Sequence, residues 1–167
     1  RDLLEAILEP SMSVAENFMQ PLLEHTTPDE QTMGIMARMK LEVVNLGGFG
    51  DLHPSQLSAG MIKRAALARA FVTDPKLLFF DEPSAGLDPI SSARLDDLIL
   101  QLRDSLGATI VMVTHELASI FSISAHCIYL DVDTTRITAE GHTKGLAESA
   151  DDERVREFLR RHANPLE

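Results

Sequence analysis

The sequence predicts an α/β protein, and three short apolar runs predict it. Leu77-Leu78-Phe79-Phe80, Thr109-Ile110-Val111-Met112-Val113 and Cys127-Ile128-Tyr129-Leu130 have the length of strands rather than helices. Helix-length segments separate them. The order strand, helix, strand, helix, strand implies a mostly parallel sheet with flanking helices joined by right-handed crossovers. Uninterrupted apolar character in the first run, bounded by Pro75 and Pro83, implies a strand buried on both faces.

The elements follow in chain order. Residues 1–50 are helical and polar-edged. Thr27-Pro28-Asp29-Glu30 has the form of a helix start, with Thr27 as N-cap, Pro28 at the first position and Glu30 closing a capping box. Met33, Met36, Met39 and Val43 recur at spacings of three and four, one helical face, and Gly47 to Gly50 is expected to end that helix. Such a Met stripe is ordinarily core, with a partner-facing surface as the alternative. An Ala-rich helix is expected from Ser58 to about Val72. Another follows over 91–106, with Ile90, Leu95, Leu98, Ile99 and Leu102 on one side. A short helix is expected over 116–122. Arg136 to Glu140 reads as the return strand of an edge hairpin. Two short helices close the chain, the last from Asp151 to His162, acidic at its start and basic at its end as a helix dipole favours.

Composition bounds the function. The 167 residues are 44% hydrophobic and 25% charged, ordinary for a globular domain. A formal net charge of −11 argues against non-specific nucleic-acid binding and against lying on an anionic membrane. One cysteine, Cys127, allows no internal disulfide and points to a reducing compartment. No apolar run approaches the length of a membrane span.

The first apolar run ends in Asp81-Glu82. Ligands of parallel sheets bind beyond the carboxyl ends of strands, and successive side chains there point to opposite faces. One acid can therefore hold Mg²⁺ while the other orients a water attacking a γ-phosphate. Alone, two acids after a strand also serve as helix caps. His115 follows the next strand, so its tip is expected beside the acids. Gly86 and Pro89 force a tight loop in Ser84-Ala85-Gly86-Leu87-Asp88-Pro89. In Leu57-Ser58-Ala59-Gly60-Met61, Ser58 is an N-cap, and the free N–H groups of a helix start make a phosphate site, although an ordinary capped helix reads the same way.

Taken together, these motifs resemble those of the ABC transporter ATPases. Leu57 to Met61 resembles the signature motif, preceded by Gln56. Leu77 to Asp81 is similar to the Walker B strand, Glu82 to its catalytic glutamate, Ser84 to Asp88 to the D-loop, and His115 to the H-loop histidine. The match spans residues 11–160. Finer resemblance is to the ATPase of Mla-type systems, which move phospholipid between bacterial membranes. Ser11-Met12-Ser13-Val14-Ala15-Glu16-Asn17, the terminal Met61 of the signature, and Asp152 to Leu159 carry it.

The resemblance implies an ABC ATPase fold of the P-loop NTPase kind, here partial, with an α-helical subdomain. It divides the chain into a helical subdomain with the signature over 1–72, an α/β core over 73–150, and a C-terminal helix and tail over 151–167. It implies ATP and Mg²⁺ as ligands, Asp81 as the metal residue, and Glu82 and His115 as catalytic. Gln56, Ser58, Ala59, Gly60 and Asp88 would contact nucleotide or communicate across a head-to-tail dimer of ATPase subunits. The partners implied are a second ATPase subunit, an integral membrane permease reached through residues 11–50, and accessory lipid-binding proteins, with no nucleic acid. The place implied is the inner face of a bacterial cell membrane.

Departures from the pattern carry expectations of their own. No Gly-x-x-x-x-Gly-Lys-Ser/Thr occurs, Gln20 falls too late to be the Q-loop glutamine, and Ala59 stands where the signature usually has Gly. The chain opens at Arg1 without Met. A piece of a longer protein is therefore expected, weak in ATP binding and negligible in hydrolysis by itself, with an exposed sheet edge or apolar face. Two other classes stand beside this reading. A chromosome-maintenance ABC ATPase would show sustained heptads, which are absent. A non-catalytic interaction module would have no chemical need for Asp81, Glu82 and His115 together.

Overall fold

The computed structural model describes residues 8–25 and 29–160. The chain forms two compact units, Arg1–Val113 and Thr114–Glu167. This division follows packing, whereas boundaries at 72 and 150 follow motif content.

In the first unit three helices pack on one another: α1 (Val14–His25), α2 (Glu30–Val43) and α3 (Ala59–Phe71). Val14, Phe18, Leu22, Leu41, Val44, Leu46, Phe71 and Val72 are fully or almost fully buried in this unit. The buried line of α2 is Met33, Ala37 and Leu41, spaced four apart. The Met stripe therefore splits. Met33 is core, while Met39 is 64% and Val43 50% exposed, joined outside by Ile35. The cap of α2 is Asp29, whose carboxylate accepts from the Thr32 N–H, and Thr27 and Pro28 lie outside the described residues. Its end also differs from expectation. Asn45 takes a left-handed φ of 55°, and the Leu46 N–H returns to the Leu41 carbonyl at 2.8 Å, so the chain has turned before Gly47.

Arginines of α3 hold the other two helices. Arg64 Nη1 donates to the carbonyls of Val44 (2.8 Å) and Asn45 (3.2 Å), orphaned at the end of α2. Lys40 of α2 pairs with Asp74 just past α3.

The strand β1 (Leu77–Asp81) pairs in parallel with β2 (Thr109–Val113), Leu77 opposite Thr109 and Asp81 opposite Val113. The helix α4 (Pro89–Leu106) joins them, burying Leu95, Leu98, Ile99 and Leu102. Ile90, expected on that face, is 66% exposed because it stands in the first turn, outside the packed stretch. Burial along β1 alternates. Leu78 and Phe80 point inward and Phe80 meets Phe71 at 6.1 Å between ring centroids, while Leu77 and Phe79 are about half exposed. Burial on both faces is thus corrected to burial on one.

The second unit holds α5 (Leu117–Ile123), an antiparallel hairpin of β3 (Cys127–Asp131) and β4 (Arg136–Gly141), and the helices α6 (Thr143–Ser149) and α7 (Glu153–Arg160). The sheet is therefore not a single parallel one among the described residues: β3 pairs with β4. A four-residue connection closes at little entropic cost. Asp131 accepts from the Thr134 N–H at 2.8 Å, and Thr135 supplies the left-handed turn residue, with φ 53°. Ile120, Ala150, Val155 and Leu159 form the core of this unit, with Tyr129 edge-on to Phe158. Arg154 gathers Asp131 (2.7 Å), Asp152 (3.1 Å) and Asp133 (3.3 Å).

Candidate functional site

β1 delivers Asp81 and Glu82 to its carboxyl end, as the pattern of an apolar run ending in acids requires. Asp81 is exposed and Glu82 half-buried. The parallel ladder continues one residue beyond the strand, since the Glu82 N–H donates to the Val113 carbonyl at 2.9 Å. Glu82 itself has φ 45°, a left-handed conformation uncommon for a residue with a Cβ. That turn ends the strand's alternation immediately after Asp81.

The following residues form the tight loop that Gly86 and Pro89 foretell. The Ala85 N–H donates to the Glu82 carbonyl (3.1 Å), and the Leu87 N–H to the Ser84 carbonyl (3.0 Å). Gly86 takes φ 79° and Ser84 is buried beneath the loop. Asp88 caps α4. Its carboxylate accepts from the N–H groups of Ile90 and Ser91, both at 3.0 Å, and from the Ser91 hydroxyl at 2.5 Å. These bonds, that of the Ser91 hydroxyl first, hold the Asp88 carboxyl below the usual carboxylate range.

Ser58 caps α3, accepting from the Met61 N–H at 3.3 Å. Ala59 is exposed at the first position of the helix and Gly60 half-buried at the second. The nearest atom to a Cβ built on Gly60 is Ser91 Oγ, 3.9 Å away, so the starts of α3 and α4 are neighbours within one unit. Gln56 lies on the 3₁₀ turn Pro54–Gln56, and its side-chain oxygen accepts from the His53 N–H at 2.9 Å. His115 belongs to the second unit. It is exposed, two residues past the end of β2, where the Glu116 N–H donates to Thr114 Oγ1 at 3.1 Å.

Among the described residues no group of three His, Cys, Asp or Glu side chains could hold a metal by itself. The acid pair fits Mg²⁺ in another way. That ion keeps most of its waters and is held by one or two carboxylates together with substrate phosphates, and a single exposed strand-end carboxylate suits it. Sequence reasoning missed Asn17, Pro21 and Arg69, which organise the helical part of the first unit. The sequence carries only half of that signal, an Asn four residues ahead of a Pro inside a helical segment.

Residues 4–85 match the family model described as ABC transporter. The chain is 43% identical over 148 residues to the intermembrane phospholipid transport system ATP-binding protein MlaF of Escherichia coli K12, covering 89% of this chain and 54% of that one. It is 44% identical over 105 residues to the probable ribonucleotide transport ATP-binding protein mkl of Mycobacterium leprae, covering 63% and 30%. Among solved structures it resembles the dimeric post-hydrolysis state of the ATP-binding cassette MJ0796 bound to ADP and Pi. There the TM-score is 0.71 at 26% identity, over 84% of this chain and 60% of that one. The chain spans about half the length of the curated MlaF relatives it matches.

Proposed function

The chain belongs to the ABC transporter ATPase family, and from that membership we propose that it is the signature-to-C-terminal part of a subunit that hydrolyses ATP to drive transport of phospholipid. The observation that carries this reading is the acid pair at the end of β1, where one strand tip presents two carboxylates separated by a left-handed turn. Likeness to MlaF over most of the chain supports phospholipid as the cargo class.

In this reading Asp81 takes Mg²⁺, which neutralises developing phosphate charge when bound. Glu82 aligns and accepts a proton from the attacking water, and His115 meets the γ-phosphate. Ser58, Ala59 and Gly60, with Gln56 behind them, face the nucleotide of a second ATPase subunit in a head-to-tail dimer. Gly60 supports that role. It sits at an ordinary helical φ with only van der Waals company where a Cβ would be, so nothing among the described residues demands a glycine there. A close outside approach, such as a phosphate at a helix start, does demand one. Asp88, at the neighbouring helix start, carries communication across the dimer. The partners are a permease in the membrane, docked through the helical part of residues 11–50, and accessory lipid-binding proteins. The subunit works at the cytoplasmic face of the cell membrane, and among the described residues no helix is long and apolar enough to cross one.

The test is E82Q in the ATPase assembled with a phosphate-binding loop, a motif these 167 residues do not contain. Turnover falls by about 10²- to 10⁴-fold, the usual worth of a positioned base, while ATP stays bound. Unchanged turnover removes Glu82 from its role and the reading with it.

A further inference from the structure

Two side chains hold the segment that enters α1: Glu16, whose Oε2 accepts from the Ser13 N–H at 2.6 Å, and Asn17, which bonds along the stretch from Glu9 to Ser13. Asn17 is fully buried. Its Oδ1 accepts from the Glu9 N–H at 2.6 Å, and its Nδ2 donates to the carbonyls of Ser13 (2.9 Å), Glu9 (3.1 Å) and Met12 (3.3 Å). A backbone donor on one side and three carbonyls on the other fix which way the amide faces. They also exclude substitutes: a carboxylate has no donor, and Leu has neither donor nor acceptor.

The backbone of the same residue is held from elsewhere. Four residues on, α1 contains Pro21, which has no N–H to give to the Asn17 carbonyl. Arg69 Nε of α3 donates to that carbonyl at 3.1 Å, and Arg69 Nη2 donates to Gln20 Oε1 at 3.1 Å. Arg69 lies in the last turns of the helix that begins at Ser58, eleven residues or roughly 16 Å along its axis. The proline vacates an acceptor, the arginine of another helix takes it, and the residue so held grips the chain over Glu9–Ser13.

We propose that Pro21, Asn17 and Arg69 form a joint that fixes the Glu9–Ser13 segment to the helix carrying Ser58, so that the two move as one piece. Asn17 and Arg69 are positioning residues. The importance of the Ser58 end rests on the ATPase reading above; the joint itself does not.

Amide hydrogen exchange on the 167-residue chain, read residue by residue by NMR without nucleotide, tests it. R69Q is expected to speed exchange of the Glu9 N–H by roughly five- to tenfold, the worth of one hydrogen bond. The N–H groups of Val14 and Ala15, which bond to the Leu52 and Gly50 carbonyls, should keep their rates. P21A restores an intrahelical N–H to the Asn17 carbonyl, so in the P21A/R69Q double variant the Glu9 rate should return toward that of the parent. A Glu9 rate untouched by R69Q overturns the joint. So does a rise shared equally with Val14 and Ala15, or one that P21A fails to correct. None of these outcomes bears on E82Q turnover, so failure of the joint and failure of the ATPase reading are separable.

Discussion

The backbone N–H of Glu82 donates to the carbonyl of Val113 at 2.9 Å, so the ladder between β1 and β2 holds a residue that has already left the strand conformation. A side chain in a left-handed conformation costs about 1–2 kcal/mol relative to glycine, and one hydrogen bond from a neighbouring strand helps to keep it there.

The strain at Glu82 can be separated from its chemistry. E82G and E82A both remove the carboxylate, but only glycine relieves a φ of 45°. After allowing about 0.4–1 kcal/mol for the greater freedom of glycine in the unfolded chain, E82G should be more stable than E82A by about 0.5–1 kcal/mol. Urea denaturation of the two variants reads the difference. E82A more stable than E82G by about 0.4–1 kcal/mol, the unfolded-chain difference alone, would show that the turn carries no strain.

Ser58 can be divided in the same way. S58A loses the bond to the Met61 N–H and should cost about 1 kcal/mol of stability. S58D keeps the cap and should hold the parental stability. In the assembled ATPase it should nevertheless lose turnover as fully as S58A or more, because a carboxylate repels phosphate. An S58D enzyme that turns over normally would confine Ser58 to capping.

Phe71 is fully buried and meets Phe80 across the junction of α3 and β1. F71A should destabilise the chain by about 3–5 kcal/mol. Denaturant unfolding followed by circular dichroism checks this, and a loss under 1 kcal/mol would show that the junction repacks freely.

Asp131 gives the second unit its sensitivity to acid. Bonds from Thr134, then the nearby Arg154, hold its carboxyl below the ordinary value despite partial desolvation. A depressed carboxylate stabilises fully above the unfolded value of about 3.9. That contribution fades as pH falls through 3.9 toward the lower folded value. D131N should therefore be less stable than the parent at pH 7, and the gap should narrow as pH falls below the ordinary carboxylate value. Thermal melts across pH 3–7 that stay parallel would refute the assignment.

Much of this site is legible in the sequence because the signals are local. An apolar run ending in two acids, a Gly and a Pro at loop spacing, and a Ser before an Ala-rich helix each dictate backbone conformation within a few residues. The misreadings fall where two local solutions compete. Thr27 and Asp29 both suit a cap, and Asp29 takes it. Asn45 and Gly47 both tolerate the left-handed turn, and the nearer one uses it, closing Leu46 onto Leu41. Phe79 looked inward because periodicity cannot say how many layers cover a sheet. The joint at Asn17 was illegible for another reason, since its second half, Arg69, lies 52 positions away.

Leu77 and Phe79 on β1, with Val111 and Val113 beside them on β2, share one side of the ladder and are 43–55% exposed. A fully native sample of this chain should therefore brighten hydrophobic dyes and linger on phenyl resin. Those readouts, ordinarily taken as signs of a loosened interior, would here report an intact surface, and quality control of any purified preparation should rely on the cooperativity of its unfolding instead.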